Sequence, residues 1–422
     1  MADASHVVFA TTGSLGDLHP FLAVGGELKR RGHRASIATS AVHRAQVEAA
    51  GLEFRHMRPD PENTPAFHAR FMHPRTGGEF VYRHYLGPAI RASYADLVQA
   101  TRGADLLVSQ SLMALAAPLV AARTGIPWAS AVLQPMCFFS LHERPNYIPL
   151  PLLPWLCGRS PALHGKVFGY VRRFTESWMR PVQDFKRELG IDSSGHPMYE
   201  GQHSPACVLA MFSPLLGRPQ PDWPAPTVQT GTALYQPDDA ALPPTVRNFL
   251  ARGGAPLAVF TLSSAASNDA GGFYRAALAA AQSLGLRALL ITGGLAESTA
   301  MEPLPPTALR IGYAPFEQVF PHAALIVHSG GSATCFKALQ AGKPQVVVPH
   351  AHDQLDNALR LRQLGVAKVV TGKRLGRLRA AMRQALADDG MRRHAQALGE
   401  RSRREDGVSQ ACDALERMLV HA

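Results

Sequence analysis

The run LIVHSGGSATCFKALQAGKPQVVVPHAHDQ, residues 325–354, constrains this chain more than any other segment. Leu325-Ile326-Val327 reads as a buried strand that ends at His328. Gly330 and Gly331 permit a tight turn, because a backbone without Cβ takes positive φ at no steric cost. Ser332-Ala333-Thr334 then open a helix that reaches Gly342, a natural stop. A second apolar run, Gln345 to Val348, closes at Pro349, and a loop with His350, His352, Asp353 and Gln354 follows. A strand joined to a helix by a glycine turn, with another strand behind it, predicts a parallel α/β unit. The free amides and dipole at the helix N-terminus favour an anion. Amides and an imidazole for phosphate, with a carboxylate and a carboxamide for hydroxyls, fit a sugar attached to a diphosphate.

The rest of the chain repeats this alternation. His6 to Thr11 is a strand, followed by a glycine loop and a helix expected to begin at Pro20, a favoured first helical position. That helix carries Phe21, Leu22, Val24 and Leu28 on one face and ends in Lys29-Arg30-Arg31 before Gly32. Further strands are expected at 35–39, 106–108, 128–132, 257–260 and 287–291. Between Phe138 and Arg187 the pattern breaks into a proline- and aromatic-rich stretch, FFSLHERPNYIPLPLLPW, and a basic helical region from Gly165. Such an insert belongs over a binding crevice, where loops carry specificity. Pro-rich sequence from Pro219 to Pro244, with Asp238 and Asp239, marks a linker. Two domains of about 200 residues suit the 422-residue length. The predicted division is 1–216, 217–400, and a final helix in 401–422.

Composition removes several classes. Hydrophobic residues at 46% support a sizeable core. No segment reaches the ~20 uninterrupted apolar residues that span a bilayer. A strand starting at His6 leaves no room for a signal peptide, so the expected location is the cytoplasm. The five cysteines lack metal-ligand or redox spacing and read as reduced thiols. A net charge of +11 arrives without any nucleic-acid-binding motif. It is compatible with simple solubility, with anionic substrates, or with peripheral attachment to the inner membrane leaflet. No GxGxxG follows a strand, which speaks against a dinucleotide oxidoreductase.

His328, Gly330, Gly331, Thr334, Gly342, Pro344, Pro349, Asp353-Gln354 and Asn357-Ala358 stand in register with a family signature. On those residues, and on GSLGDLHPF, VFTLSS and GYAPFEQVFPHA, the whole chain resembles the nucleotide-sugar glycosyltransferases of family 1. The resemblance implies the GT-B fold: two facing Rossmann-like, doubly wound α/β domains with a cleft between them, 1–216 acceptor-binding and 217–400 nucleotide-sugar-binding, with the 401–422 helix crossing back to the first. Within the family, QPDWPAP and AGKPQVVVPHAHDQLDNALRL look like the rhamnosyltransferase branch of rhamnolipid synthesis.

The resemblance implies a role for each candidate residue. Asp17 would be the general base, with His19 as the rival base and helix capping as the ordinary alternative for Asp17. Plant members hold an acidic partner for their His base about a hundred residues on, and the Ser109-Gln110-Ser111 found here argues against such a dyad. His328, the Ser332, Ala333 and Thr334 amides, and Ser264 would hold the diphosphate across the Gly330-Gly331 turn; the usual glycine before that serine is Ser263 here. Tyr313 would stack on the base and the Ala314 backbone would read its edge. Asp353 and Gln354 would bind sugar hydroxyls, Asp353 having N-cap duty as an alternative. Phe336 occupies the place where plant members carry a ribose-binding Glu, and Cys335 and Lys337 beside it offer no carboxylate; this suits a thymidine diphosphate sugar.

The expected activity is inverting, metal-independent transfer of L-rhamnose from dTDP-L-rhamnose to a β-hydroxy fatty acid type lipid, with no cofactor besides the nucleotide-sugar co-substrate. Phe138, Phe139, Leu153 and Trp155 are the expected acceptor contacts, with Ile148, Leu150 and Leu152 adding apolar surface. Arg172, Arg173, Arg180, Lys186 and Arg187 would meet an acceptor carboxylate. Two alternatives stand beside it: a natural-product glycosyltransferase using another UDP- or dTDP-sugar on a polyketide or terpenoid, and a catalytically silent homologue that binds a partner enzyme. Intact Asp17, His328, Asp353 and Gln354 speak against the last.

Overall fold

The computed structural model describes residues 4–146, 152–192, 195–236, 241–262, 272–293 and 303–420. Two all-parallel sheets carry the fold. The first orders its seven strands β3-β2-β1-β4-β5-β6-β7. They are β1 (His6–Ala10), β2 (Arg34–Thr39), β3 (Glu53–His56), β4 (Leu106–Gln110), β5 (Trp128–Val132), β6 (Val208–Ala210) and β7 (Thr227–Gln229). The second orders six strands β10-β9-β8-β11-β12-β13. These are β8 (Leu257–Thr261), β9 (Arg287–Ile291), β10 (Ala308–Ile311), β11 (Leu325–His328), β12 (Gln345–Val347) and β13 (Ala367–Val369). Strands β1, β4, β5, β8 and β11 are buried along their whole length. Helices cover both faces of a parallel sheet, which explains why these strands read as apolar runs without alternation.

Strand order reverses between β1 and β4 in the first sheet and between β8 and β11 in the second. At such a reversal the loops leaving neighbouring strands diverge and open a crevice outside the strand ends. Each sheet therefore offers one such position, and a group of candidate residues lies at each.

The chain divides into two compact units, residues 1–63, 75–235 and 406–422 in one, and 64–74 with 236–405 in the other. The sequence places the boundary at 216/217. Residues 217–235 instead stay with the first sheet because β7 pairs with β6 in the register Val208↔Thr227. The expected linker residues Asp238 and Asp239 lie outside the described residues.

Helix α1 (Leu15–Arg30) starts a full turn before Pro20. Ser14 begins it as N-cap, and Pro20, which has no N–H to give, sits inside it. At its far end Gly32 adopts φ +97°. The last helix, α10 (Gly407–Val420), places Ala411, Cys412 and Leu415 in one apolar cluster with Leu18, Leu22 and Leu28 of α1. Arg31 ties the pair by donating Nη1 to Asp413 at 2.6 Å and Glu416 at 2.9 Å. Between them in sequence the helices used below are α2 (Ala117–Thr124), α3 (Leu153–Cys157), α4 (Pro161–Glu176), α5 (Arg180–Glu188), α6 (Phe273–Ser283), α7 (Ser332–Gln340), α8 (Gln354–Gln363) and α9 (Leu378–Ala387). The second unit packs α6 and α9 over β8, β9 and β11. All five cysteines are free and buried. Among the described residues no helix is long and apolar enough to cross a membrane.

Candidate functional site

In the first unit the loop after β1 carries Gly13 at φ +105°, and a Cβ there would lie 2.6 Å from Asp17 Oδ2. Only glycine allows the carboxylate to fold back over the loop. Ser14 donates its backbone N–H (2.8 Å) and its hydroxyl (3.1 Å) to that same Oδ2. His43 donates Nε2–H to Gly13 O at 2.9 Å and secures the turn. The other oxygen, Asp17 Oδ1, accepts from Gln110 Nε2 at 2.7 Å. Asp17 thus combines the capping contact with a side-chain contact across the strand-order reversal. His19 stands two residues on and packs against Tyr235 at 5.3 Å between ring centroids.

Gln110 is the functional candidate that sequence reading passed over. It counted against a His–Asp dyad, yet its amide reaches Asp17 directly as a donor. The register Ala10↔Ser109 brings the end of β4 beside the end of β1. Gln110 also lines a small open pocket with Ser111, Leu115, Leu119 of α2 and Val182 of α5. Two atoms at this pocket's residues, Ser111 Oγ and Gln202 Oε1, are buried without a hydrogen-bond partner.

The acceptor residues separate. Phe138 stacks on Trp223 at 4.2 Å and on His203 at 5.6 Å, and is buried to 8% exposure. Phe139 packs on Tyr199 (4.9 Å) and Phe168 (6.2 Å). Leu153 is half-buried at the start of α3, and Trp155 is 46% exposed with the Arg159 guanidinium 3.6 Å above its ring. Tyr170 and Phe174 of α4 are exposed as well, one turn apart. Of the expected basic set, Arg172 pairs with Glu200 and Arg187 with Asp184. Ile148 and Leu150 lie outside the described residues.

In the second unit the strand–turn–helix forms as its sequence implies. Gly330 takes φ +93°, Gly331 is the N-cap of α7, and the first intrahelical bond is Cys335 N to Gly331 O. The amides of Ser332, Ala333 and Thr334 therefore have no intrahelical acceptor and mark an anion position. Asp353 and Asn357 clamp this turn. Asp353 Oδ2 accepts from Ser332 Oγ (3.0 Å) and Asn357 Nδ2 (2.7 Å), and Asn357 Nδ2 also reaches Gly330 O (2.9 Å). Asp353 makes no side-chain cap to α8. Gln354 Oε1 accepts from the His350 amide at 2.8 Å, and its own carbonyl would sit 2.8 Å from a Cβ on Gly330.

His328 is held within the glycine turn. Its ring is fully buried, Nδ1 accepts from Gly330 N–H at 3.1 Å, and Nε2 donates to Gln345 Oε1 at 2.9 Å. Burial drives its pKa down to about 4, against a raising hydrogen bond from Gln345. A neutral ring with both nitrogens engaged holds the glycine turn, with the free amides of α7 beyond it. Tyr313, 63% exposed, follows β10, and Ala314 is buried next to it. Phe336 and Cys335 are buried, and Lys337 pairs with Glu317 at 3.0 Å. Ser264, with Ser263 before it, lies outside the described residues.

Comparison with known proteins agrees with both halves. Residues 7–82 match the glycosyltransferase family 28 N-terminal domain, and residues 289–414 match the erythromycin biosynthesis protein CIII-like C-terminal domain. The O-mycaminosyltylonolide 6-deoxyallosyltransferase of Streptomyces fradiae is 30% identical over 436 residues, covering 97% of this chain and 96% of that protein. A sterol 3-beta-glucosyltransferase of Neosartorya fischeri is 27% identical over 453 residues; the match takes in all of this chain and 30% of that longer protein. Among solved structures, the glycotransferase of kitacinnamycin superposes with a TM-score of 0.73 at 20% identity, over 99% of this chain and 100% of that one. The spinosyn rhamnosyltransferase complexed with thymidine diphosphate gives 0.68 at 19% identity, over 98% and 100%. These two likenesses concern the fold.

Proposed function

The chain belongs to the GT-B nucleotide-sugar glycosyltransferases, and from that premise we propose an inverting enzyme that moves a deoxyhexose from a thymidine diphosphate sugar to a hydroxyl of an apolar natural product. The observation that carries this reading is the clamped turn at Gly330-Gly331. Three amides at the start of α7 await an anion, with Asp353 beside them for a sugar hydroxyl. By the resemblance, Phe336 stands where plant members carry a ribose-binding Glu, which favours a deoxyribose. The relative from Streptomyces fradiae, similar along its whole length, is named for deoxyhexose transfer to a macrolide, which supports a polyketide-like acceptor over a fatty acid. Asp17 takes the acceptor proton, while amides and the helix dipole receive the charge that develops on the diphosphate, work that needs no metal.

A lipid acid remains the second reading because Trp155, Tyr170 and Phe174 lie exposed near Arg159 and Arg173, a pairing that suits an amphipathic anion. Thermal shift and turnover with a panel of nucleotide sugars test the proposal. dTDP stabilises the fold through binding to the native state, NAD and ATP do so far less, and EDTA leaves turnover intact. Equal shifts with every nucleotide, or loss of turnover on chelation, count against it. Macrolide-type aglycones are turned over in preference to β-hydroxy fatty acid dimers; the opposite order selects the lipid reading.

A further inference from the structure

We infer that Gln110 is the positioning residue of the base, and that it marks Oδ1 of Asp17 as the oxygen that takes the acceptor proton. The inference rests on Asp17 being that base. A carboxylate only accepts hydrogen bonds, so the Gln110 amide must turn its NH₂ toward Asp17, where Nε2 stands 2.7 Å from Oδ1. Its Oε1 then faces the Thr11 hydroxyl, which donates to it. Thr11 follows β1 and Gln110 ends β4, so the register Ala10↔Ser109 sets them side by side at the reversal of strand order. One hydroxyl thereby decides which end of the amide meets the carboxylate.

The two oxygens of Asp17 are not equivalent. Oδ2 accepts from Ser14 N and Ser14 Oγ and is pressed over Gly13, where a Cβ would come within 2.6 Å. Two donors occupy its lone-pair directions. Among the described residues Gln110 is the one donor to Oδ1, which keeps a direction open. The acceptor O–H proton passes to Oδ1 as the acceptor oxygen bonds to the anomeric carbon. The C–O bond to the diphosphate breaks and its electron pair leaves on the diphosphate oxygen. Glutamine suits this place because it donates without charge; a carboxylate there would oppose Asp17 at hydrogen-bond range and raise its pKa.

The test uses the full chain with saturating donor; dTDP affinity is the control for the donor turn, which lies in the other unit, and the thermal melt is the control for folding. Gln110→Leu is expected to lower kcat about 10- to 100-fold, as misplacement of a reacting group does, with dTDP affinity unchanged. Thr11→Val shows a smaller loss of the same kind, and Thr11→Ser recovers activity over it. Gln110→Glu moves the acid limb of the kcat profile to higher pH. Wild-type kcat in Gln110→Leu, or equal losses in Thr11→Val and Thr11→Ser, overturns the inference. Asp17→Asn separates the two levels: if it turns over normally, the base reading falls; if it is dead while Gln110→Leu is active, Gln110 alone is misassigned.

Discussion

If Asp17 is the base, as proposed, one carboxylate serves both its helix and the chemistry. Capping and catalysis are alternatives on paper, yet in the fold Oδ2 accepts from Ser14 while Oδ1 faces Gln110. Asp17→Asn keeps the shape and removes the base, so kcat should fall about 10²- to 10⁴-fold with dTDP affinity held. His19→Ala, which loses packing on Tyr235, should cost far less, and the reverse ranking in steady-state kinetics hands the role to His19. At this scale the sequence is partly legible. Asp17 stands out because its glycine loop is local, whereas its contact with Gln110 spans 93 positions and leaves no local pattern. The stacking of Phe138 on Trp223 is hidden for a related reason, since the partner lies 85 positions away and an aromatic in a proline-rich insert does not announce it.

The strand–turn–helix of β11 and α7 was the most readable element, because all its determinants are contiguous: apolar run, glycine pair, helix, Gly342. What contiguity hides is the clamp from α8, where Asp353 and Asn357 reach back to Ser332 and Gly330. Gly330→Ala tests the element as a unit. Its φ of +93° is strained for any side chain, and the new Cβ would meet Gln354 O at 2.8 Å. A cost of about 1–3 kcal/mol is expected for such strain. Calorimetry should show a melting temperature several degrees lower, and dTDP affinity should fall more than tenfold as the three amides lose alignment. Unchanged affinity would separate the turn from nucleotide binding. The start of α1 shows the opposite failure of reading: Pro20 draws attention as a first position, but Ser14 supplies the cap a turn earlier and the proline is absorbed within the helix.

Over the whole molecule, buried histidines make stability depend on acid. His328 and His203 both fall to about 4, each chiefly through burial, and His6, His164 and His196 are lowered for the same first reason. Between pH 6.5 and about 4 the unfolded chain binds protons that the folded chain refuses, so stability is complete above that window and is lost as pH falls through it. His328 alone should cost on the order of 3 kcal/mol at the bottom of the window. Denaturant melts from pH 7 to 4 should show this fall, and His203→Phe, still able to stack on Phe138, should flatten its share; a pH-independent melt would contradict the burial. The two sheets were legible because parallel strands buried on both faces advertise themselves as apolar runs. The division of the chain was less so, because β7 is short and follows a proline-rich stretch that resembles a linker. The docking of α10 on α1 also bears on synthesis. Domains ordinarily fold in the order in which the ribosome delivers them, but the earlier core here includes Ala411, Cys412 and Leu415. It cannot close until the last helix has emerged, after every strand of the later sheet. A premature stop after residue 405 therefore damages the half of the protein that was made first.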